Sequence, residues 1–245
     1  MHRFFVSPDS LHGERIILAG QQAHQIRDVL RMKPGEKIIV LDNTGYEYTV
    51  SLSRIERQEV NGEVIDQNKS EGEPKVQIIL FQSLLAREKF EWVLQKSTEV
   101  GVCSFVPVVT RRSIIRRSES VTAKKMSRWR SIITEAAEQS GRGRIPTLEK
   151  PLNFSEVLSE LDDFDCYLFG STQAETLALR EIIKAEGFEL KKIALFIGPE
   201  GGFTESEIAE ARGRGAKTFS LGKRVLRTET AAVVASAIIL YELEQ

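Results

Sequence analysis

The chain has 245 residues, 41% hydrophobic and 28% charged, with a formal net charge of −1, the balance of an ordinary globular protein of one large or two modest domains. No apolar run is long enough to cross a bilayer, and Met1-His2-Arg3-Phe4-Phe5 lacks the apolar core of a signal peptide, so the expectation is a cytoplasmic protein. Cys103 and Cys166 sit in apolar strand-like runs and His2, His12 and His24 have no ligand spacing with them, which predicts reduced thiols and no metal site.

Short strand patterns fill residues 1–72, at 4–7, 15–18, 37–41, 46–55 and 59–65, separated by the turn signals Lys33-Pro34-Gly35, Asp42-Asn43-Thr44-Gly45 and Asn61-Gly62. Strands joined by such turns suggest a small barrel. One helix is expected at 21–32, with Ala23, Ile26, Val29 and Leu30 as its apolar positions. Its His24, Arg27 and Arg31 share a face, which reads equally as solvated or as RNA-contacting. The polar stretch 67–75 reads as a linker, giving domains 1–72 and 73–245.

From Val76 the period changes to alternating strands and helices: strand 76–81, helix 87–100, strand 103–109, helix 120–140, a short strand near 145–148, helix 153–161, strand 165–169 and helix 175–186. This is an α/β pattern with a mostly parallel sheet. Within it, residues 111–144 hold ten basic residues against three acidic ones, an excess that suits a phosphate backbone.

Two strand-loop-helix units close the chain. Strand 192–197 ends at Ile197-Gly198-Pro199-Glu200-Gly201-Gly202-Phe203, and strand 217–221 ends at Leu221-Gly222-Lys223-Arg224-Val225-Leu226-Arg227-Thr228-Glu229-Thr230. Thr204 followed by Glu207 predicts a capping box, and Thr228 is the expected cap of a last, almost wholly apolar helix 229–243. A helix apolar on every side needs cover on every side. Loops at the carboxyl ends of two strands are where open α/β sheets hold small ligands. The strand at 76–81 leads into Gln82-Ser83-Leu84-Leu85-Ala86-Arg87 without a glycine, so the usual dinucleotide fingerprint is missing.

These paired glycine segments resemble the signature of the SPOUT superfamily, and specifically of its RsmE family, the small-subunit 16S ribosomal RNA uridine-N3 methyltransferases. Gln95-Lys96-Ser97-Thr98-Glu99-Val100-Gly101, residues 135–142 and the segment from His24 to Arg31 match as well. The resemblance implies a trefoil-knotted α/β domain that binds S-adenosylmethionine in the knot, a PUA-like RNA-binding barrel at the N-terminus, and a homodimer.

With that resemblance, Phe169, Gly170, Ile197, Gly198, Pro199, Gly201, Gly202, Leu221, Gly222, Val225, Leu226 and Thr230 are the expected cofactor residues. Arg227 is the candidate stabiliser of an anionic uracil, and Glu229 or Glu200 is the candidate either to accept the proton or simply to orient Arg227. RNA contacts are expected from Arg3, His24, Arg27, Arg31, Arg111, Arg112, Arg116, Arg142 and Arg144. Two alternatives stay open: a SPOUT methyltransferase acting elsewhere, such as on ribose 2′-oxygen, and a noncatalytic ribosome-assembly factor.

Overall fold

The computed structural model describes residues 1–115, 121–159, 161, 163–172, 176–187 and 189–244. The chain divides into two compact units, Met1–Glu73 with Ala137–Ile145, and Pro74–Ala136 with Pro146–Gln245.

In the first unit, β1 (Arg3–Phe5), β2 (Leu11–His12), β3 (Arg15–Ala19), β4 (Lys37–Leu41), β5 (Tyr46–Ile55) and β6 (Glu59–Lys69) form one sheet in the order β1-β4-β5-β6-β3-β2. Its pairs are antiparallel except β1 with β4. Phe4 near one end of this ladder and Leu11 at the other pack into one cluster with Ile16, Ile38, Val50 and Val60, so the sheet curls around a single core. Gly62 permits the curl: a Cβ there would lie 2.5 Å from Val50 Cγ1 and 3.0 Å from the Ser51 carbonyl oxygen.

The helix expected at 21–32 is shorter and irregular. α1 (Gly20–His24) passes into a π-helical turn, Gln25–Val29, and Arg31 leaves it with a left-handed backbone at φ 54. The stretch 67–75, read from sequence as the domain linker, contains the step from the first unit to the second, between Glu73 and Pro74. β6 runs to Lys69, Ser70 is buried, and a Cβ on Gly72 would lie 2.3 Å from the Gly141 carbonyl oxygen. Glu73 accepts from the Arg142 guanidinium at 3.2 and 2.9 Å. The polar composition that suggested a linker is satisfied by partners about 70 positions away, which no local pattern can show.

The second unit holds β7 (Gln77–Ser83), α2 (Arg87–Val100), β8 (Ser104–Val109), α3 (Ala123–Ser140, its last turn counted with the first unit), β9 (Thr147–Leu148), β10 (Leu152–Asn153), α4 (Phe154–Leu158), β11 (Cys166–Gly170), β12 (Leu177–Ala178), α5 (Leu179–Glu186), β13 (Lys192–Ile197), α6 (Glu205–Gly213), β14 (Lys217–Ser220) and α7 (Thr228–Leu243). The strand order is β10-β8-β7-β13-β11-β14-β12, with β9 beside β8, and every one of these pairs is parallel.

Strand β13 is buried from Ile193 to Ile197, as a central parallel strand covered on both faces must be. α4 and α6 contribute Phe154, Val157, Leu158, Ile208 and Ala211 to the core on one side. α7 packs against α2, α5, β7 and β13. Its Ala232, Ala235, Ser236, Ile239, Leu240 and Leu243 are buried, whereas Ala237 and Tyr241 are exposed, so the single chain leaves one apolar stripe of this helix uncovered. Cys103 and Cys166 are not joined by a disulfide. Among the described residues no helix is long and apolar enough to cross a membrane.

Candidate active site

Three rings support the site. Parallel register places Phe81 of β7 opposite Phe196 of β13, and Phe196 opposite Phe169 of β11. The rings stack at centroid separations of 4.4 and 4.0 Å. Phe203, from the loop beyond β13, closes over Phe169 at 5.3 Å. The carboxyl ends of β13 and β11 therefore rest on a dense aromatic floor, and the first glycine segment begins directly past Phe196, whereas the second follows β14.

The first segment turns between Pro199 and Gly202, whose N–H donates to the Pro199 carbonyl at 2.8 Å, with Gly202 at φ 66. It ends in the expected capping box. The Thr204 N–H and hydroxyl both donate to Glu207 Oε2 at 2.8 Å, while the Glu207 N–H donates to Thr204 Oγ1 at 3.3 Å. The remaining oxygen of buried Glu207 accepts the Arg111 N–H at 2.9 Å. In the second segment Gly222 adopts φ 107 and donates to Ser220 Oγ at 3.2 Å, and the chain beyond it exposes Lys223, Arg224, Val225 and Arg227.

Thr228 is not the cap of α7. Arg227 holds that position without a side-chain cap bond, and the Thr228 hydroxyl instead donates to the Gly198 carbonyl. The reason is spatial: Gly198 lies beside the helix start, and its buried carbonyl has a stronger claim on the hydroxyl than the solvated amides of the first turn. Gln82 Nε2 reinforces the junction, 3.4 Å from the Ile197 carbonyl and 3.5 Å from Thr228 Oγ1. The two glycine segments are thus tied together directly. Thr228→Val, which keeps the shape but leaves these groups unpaired, is expected to lower unfolding stability by about 1–3 kcal/mol, measured by denaturant titration.

Between the segments lies a cleft of about 800 Å³. Of the cofactor residues expected from sequence, Gly170, Ile197, Gly198, Pro199, Gly201, Gly202, Leu221, Gly222, Val225 and Leu226 line it, as do Arg227, Glu229 and Glu200. Phe169 and Thr230 are not on its wall; Phe169 is fully buried in the floor, its ring engaged by Phe196 and Phe203. Lys89 and Arg112 line the cleft without having been singled out for it. Their positions in sequence, on α2 and just past β8, carry no cofactor signal.

Charges converge at the cleft. Lys89 Nζ donates to Glu200 Oε1 at 2.8 Å. Burial raises the Glu200 carboxyl, but hydrogen bonding from Lys89 and the backbone, with the ammonium charge, outweighs it and holds the group below the usual glutamate range. The Lys89 ammonium is raised by its hydrogen bond to Glu200, with further attraction to Glu229 opposed by Arg227. Glu200 is accordingly a neutralised, weakly basic carboxylate. Glu229 differs: its Oε2 is buried with no hydrogen-bond partner among the described residues.

The expected RNA contacts fare unevenly. Arg142 is only 2% exposed and is committed to Glu73, so it is not a surface contact. Its burial follows from the charge of Glu73, since an arginine removed from water requires a paired carboxylate. Arg112 is exposed, but its Nη1 donates to the Gly201 and Phe203 carbonyls at 2.8 and 3.4 Å. Arg3 pairs with Glu47 at 2.6 Å and Arg144 donates to the Thr44 carbonyl at 2.9 Å. Arg27 binds Asp28 and the Glu56 carbonyl, and His24 Nδ1 lies 2.5 Å from Asp28. The Arg27 hydrogen bond, helped by His24, holds the Asp28 carboxyl to about 2. Arg31 and Arg111 have exposed side chains, and Arg116 lies outside the described residues.

A parallel α/β sheet with two joined glycine loops over its carboxyl edge is the architecture of an RNA methyltransferase domain, the description of the family model that matches residues 72–240. A second model, the RNA methyltransferase PUA domain, matches residues 18–65. Ribosomal RNA small subunit methyltransferase E of Bacillus subtilis is 32% identical, covering 100% of this chain and 98% of its own length. The Synechocystis protein of the same name is 31% identical over 99% of this chain and 78% of its own. The solved Neisseria gonorrhoeae ribosomal RNA small subunit methyltransferase E, bound to S-adenosyl methionine, matches with a TM-score of 0.87 and 30% identity, covering 99% of this chain and 98% of that one. A Legionella pneumophila methyltransferase structure with the bound cofactor SAM gives 0.86 and 32%, covering 98% and 97%. The chain belongs to the ribosomal RNA small subunit methyltransferase E family.

Proposed function

We propose that this chain transfers a methyl group from S-adenosylmethionine to N3 of a uridine in 16S ribosomal RNA, releasing the N3 proton. The observation that carries the proposal is the Thr228–Gly198 tie, which draws both glycine loops around one cleft with Arg227 and Glu229 at its wall. The residues present fit the cofactor: the loops offer glycine backbone at close approach, and Glu229 Oε2, which has no hydrogen-bond partner among the described residues, is an open acceptor at the cleft. Bound S-adenosylmethionine supplies an electrophilic methyl group on a sulfonium. Backbone of Gly198, Gly201, Gly202, Leu221, Val225 and Leu226 holds its adenosine and methionine parts, and Thr230 and Phe169 act from behind that wall.

Arg227 stabilises negative charge on the uracil as N3 loses its proton. Glu229 accepts that proton in preference to Glu200, whose charge Lys89 already neutralises. The site mainly positions and polarises, which is what an in-line displacement requires. Residues 1–72 serve as an RNA-binding barrel and 73–245 as the methyltransferase domain, with Arg31 and Arg111 among the exposed cations available to phosphate. Such a substrate puts the protein in the cytoplasm.

The uncovered stripe of α7 is the homodimer contact. Val234 and Ile238 are half-buried and Ala237 and Tyr241 exposed in one chain, a pattern that a second copy would cover. Ala237→Arg is expected to convert a dimer to monomers in light scattering and to reduce turnover; a wild-type protein that is monomeric and active would remove the dimer.

The function itself is tested by incubating labelled cofactor with unmodified 16S RNA or small subunits, then digesting and separating nucleosides. Label in 3-methyluridine is expected. Label in a 2′-O-methyl nucleoside would favour the ribose reading, and no cofactor uptake in calorimetry would end the enzymatic one.

A further inference from the structure

Arg112 is the second residue of the basic run that the sequence assigns to RNA, yet its head group is engaged elsewhere. Strand β8 ends at Val109, and the next residues form a compact buried turn. The Ser113 N–H donates to the Thr110 carbonyl at 3.1 Å, the Thr110 N–H donates to Ser113 Oγ at 3.1 Å, and the two hydroxyls lie 2.9 Å apart. Thr110 and Ser113 are 4% and 3% exposed, so the turn is fixed and not a surface tether. It is also pinned to the neighbouring helix by the Arg111 N–H to Glu207 bond of 2.9 Å.

This anchored turn aims Arg112 at the first glycine loop. Its guanidinium donates to the Gly201 carbonyl at 2.8 Å and to that of Phe203 at 3.4 Å, spanning Gly202. The aliphatic stem lies on Gly201, where a Cβ would come within 3.3 Å of Arg112 Cδ. Apart from the Gly202 N–H to Pro199 bond, the loop has little regular hydrogen bonding of its own. Charged donors on backbone carbonyls are among the stronger hydrogen bonds, so this contact has the energy to set the loop's conformation.

We propose that Arg112 is a positioning residue of the cofactor site, which clamps the Gly198–Phe203 loop in its binding conformation through the Gly201 and Phe203 carbonyls. It touches the loop and not the reacting atoms. The proposal rests on the reading of the cleft as the S-adenosylmethionine site, and it places Arg112, though not its neighbour Arg111, on the cofactor side of the protein's work.

The test compares wild type with Arg112→Ala, Arg112→Gln and Arg112→Lys. Calorimetry with S-adenosylmethionine in the absence of RNA is expected to show affinity weaker by about tenfold or more in the Ala and Gln variants, with Lys recovering part of the loss. Binding of a small-subunit RNA fragment without cofactor is expected to stay near wild type. Hydrogen exchange of the full-length protein without ligand should accelerate in the peptide covering 198–204, with the barrel and β7 unchanged. Unchanged exchange there would overturn the clamp, as would intact cofactor affinity combined with weakened, more salt-sensitive RNA binding. Should Arg112→Ala fail to fold, the same readings are taken on Arg112→Gln and Arg112→Lys. A wild-type protein that takes up no cofactor would instead defeat the functional reading, and the exchange result would still judge the clamp.

Discussion

Arg227→Ala is expected to lower turnover by about 10²- to 10³-fold, the usual effect of deleting one preorganised donor to developing charge. The side chain is exposed at the cleft wall, immediately before α7 and beside the Thr228 tie. It contributes little burial, so the variant should melt with wild type. Cofactor affinity should change little, because the roles assigned to cofactor binding fall on loop backbone. The loss should therefore appear in kcat. Raising the pH toward the range where uracil N3 ionises unaided should recover part of the rate in the variant and less in wild type, since the variant lacks the cation that makes the anion accessible. Arg227→Lys should recover only part of the activity, lacking the planar fork of donors. Near-wild-type kcat in Arg227→Ala would remove the residue from the chemistry and turn attention to the other cations lining the cleft, Lys89, Arg112, Lys223 and Arg224.

What the sequence made legible follows from the range of the forces involved. Strands 37–41, 46–55 and 192–197 and the helix 87–100 are found with the bounds read from pattern, because apolar periodicity and adjacent turn residues act within a few positions. The Thr204–Glu207 box was equally local. The misreadings involve distant partners. Thr228 has the residue type of a cap, but a carbonyl 30 positions away takes its hydroxyl. Arg142 belongs by composition to a basic surface, and Glu73, 69 positions earlier, draws it inside. Arg112 was read for phosphate alone, and the carbonyls that its exposed guanidinium also reaches lie about 90 residues downstream. The Lys89–Glu200 pair spans 111 positions and was invisible for the same reason. Both glycine segments could be read in advance because glycine at the end of an apolar strand reports a backbone requirement of its own; their union could not.

Phe196→Ala should cost about 3–5 kcal/mol of unfolding stability, the largest single-site loss expected in the α/β unit. The ring is fully buried and is the middle member of the stack, parallel to Phe81 within 7° and to Phe169 within 12°. Deleting it strips contacts from both neighbours and opens a void between central strands whose backbones are fixed by parallel ladders on each side, so the site cannot collapse to fill it. The next residues are Ile197 and Gly198, whose carbonyls meet Gln82 and Thr228. Disorder in the floor should therefore reach the loop tie and weaken cofactor binding even under conditions where the variant remains folded. Phe196→Leu, which refills most of the volume, separates the two effects: it should fold with a smaller loss and show a correspondingly smaller fall in S-adenosylmethionine affinity. Denaturant titration gives the first quantity and calorimetry the second. A Phe196→Ala protein with wild-type stability, or one strongly destabilised but binding cofactor normally when folded, would show that the glycine loops hold their shape independently of the aromatic floor.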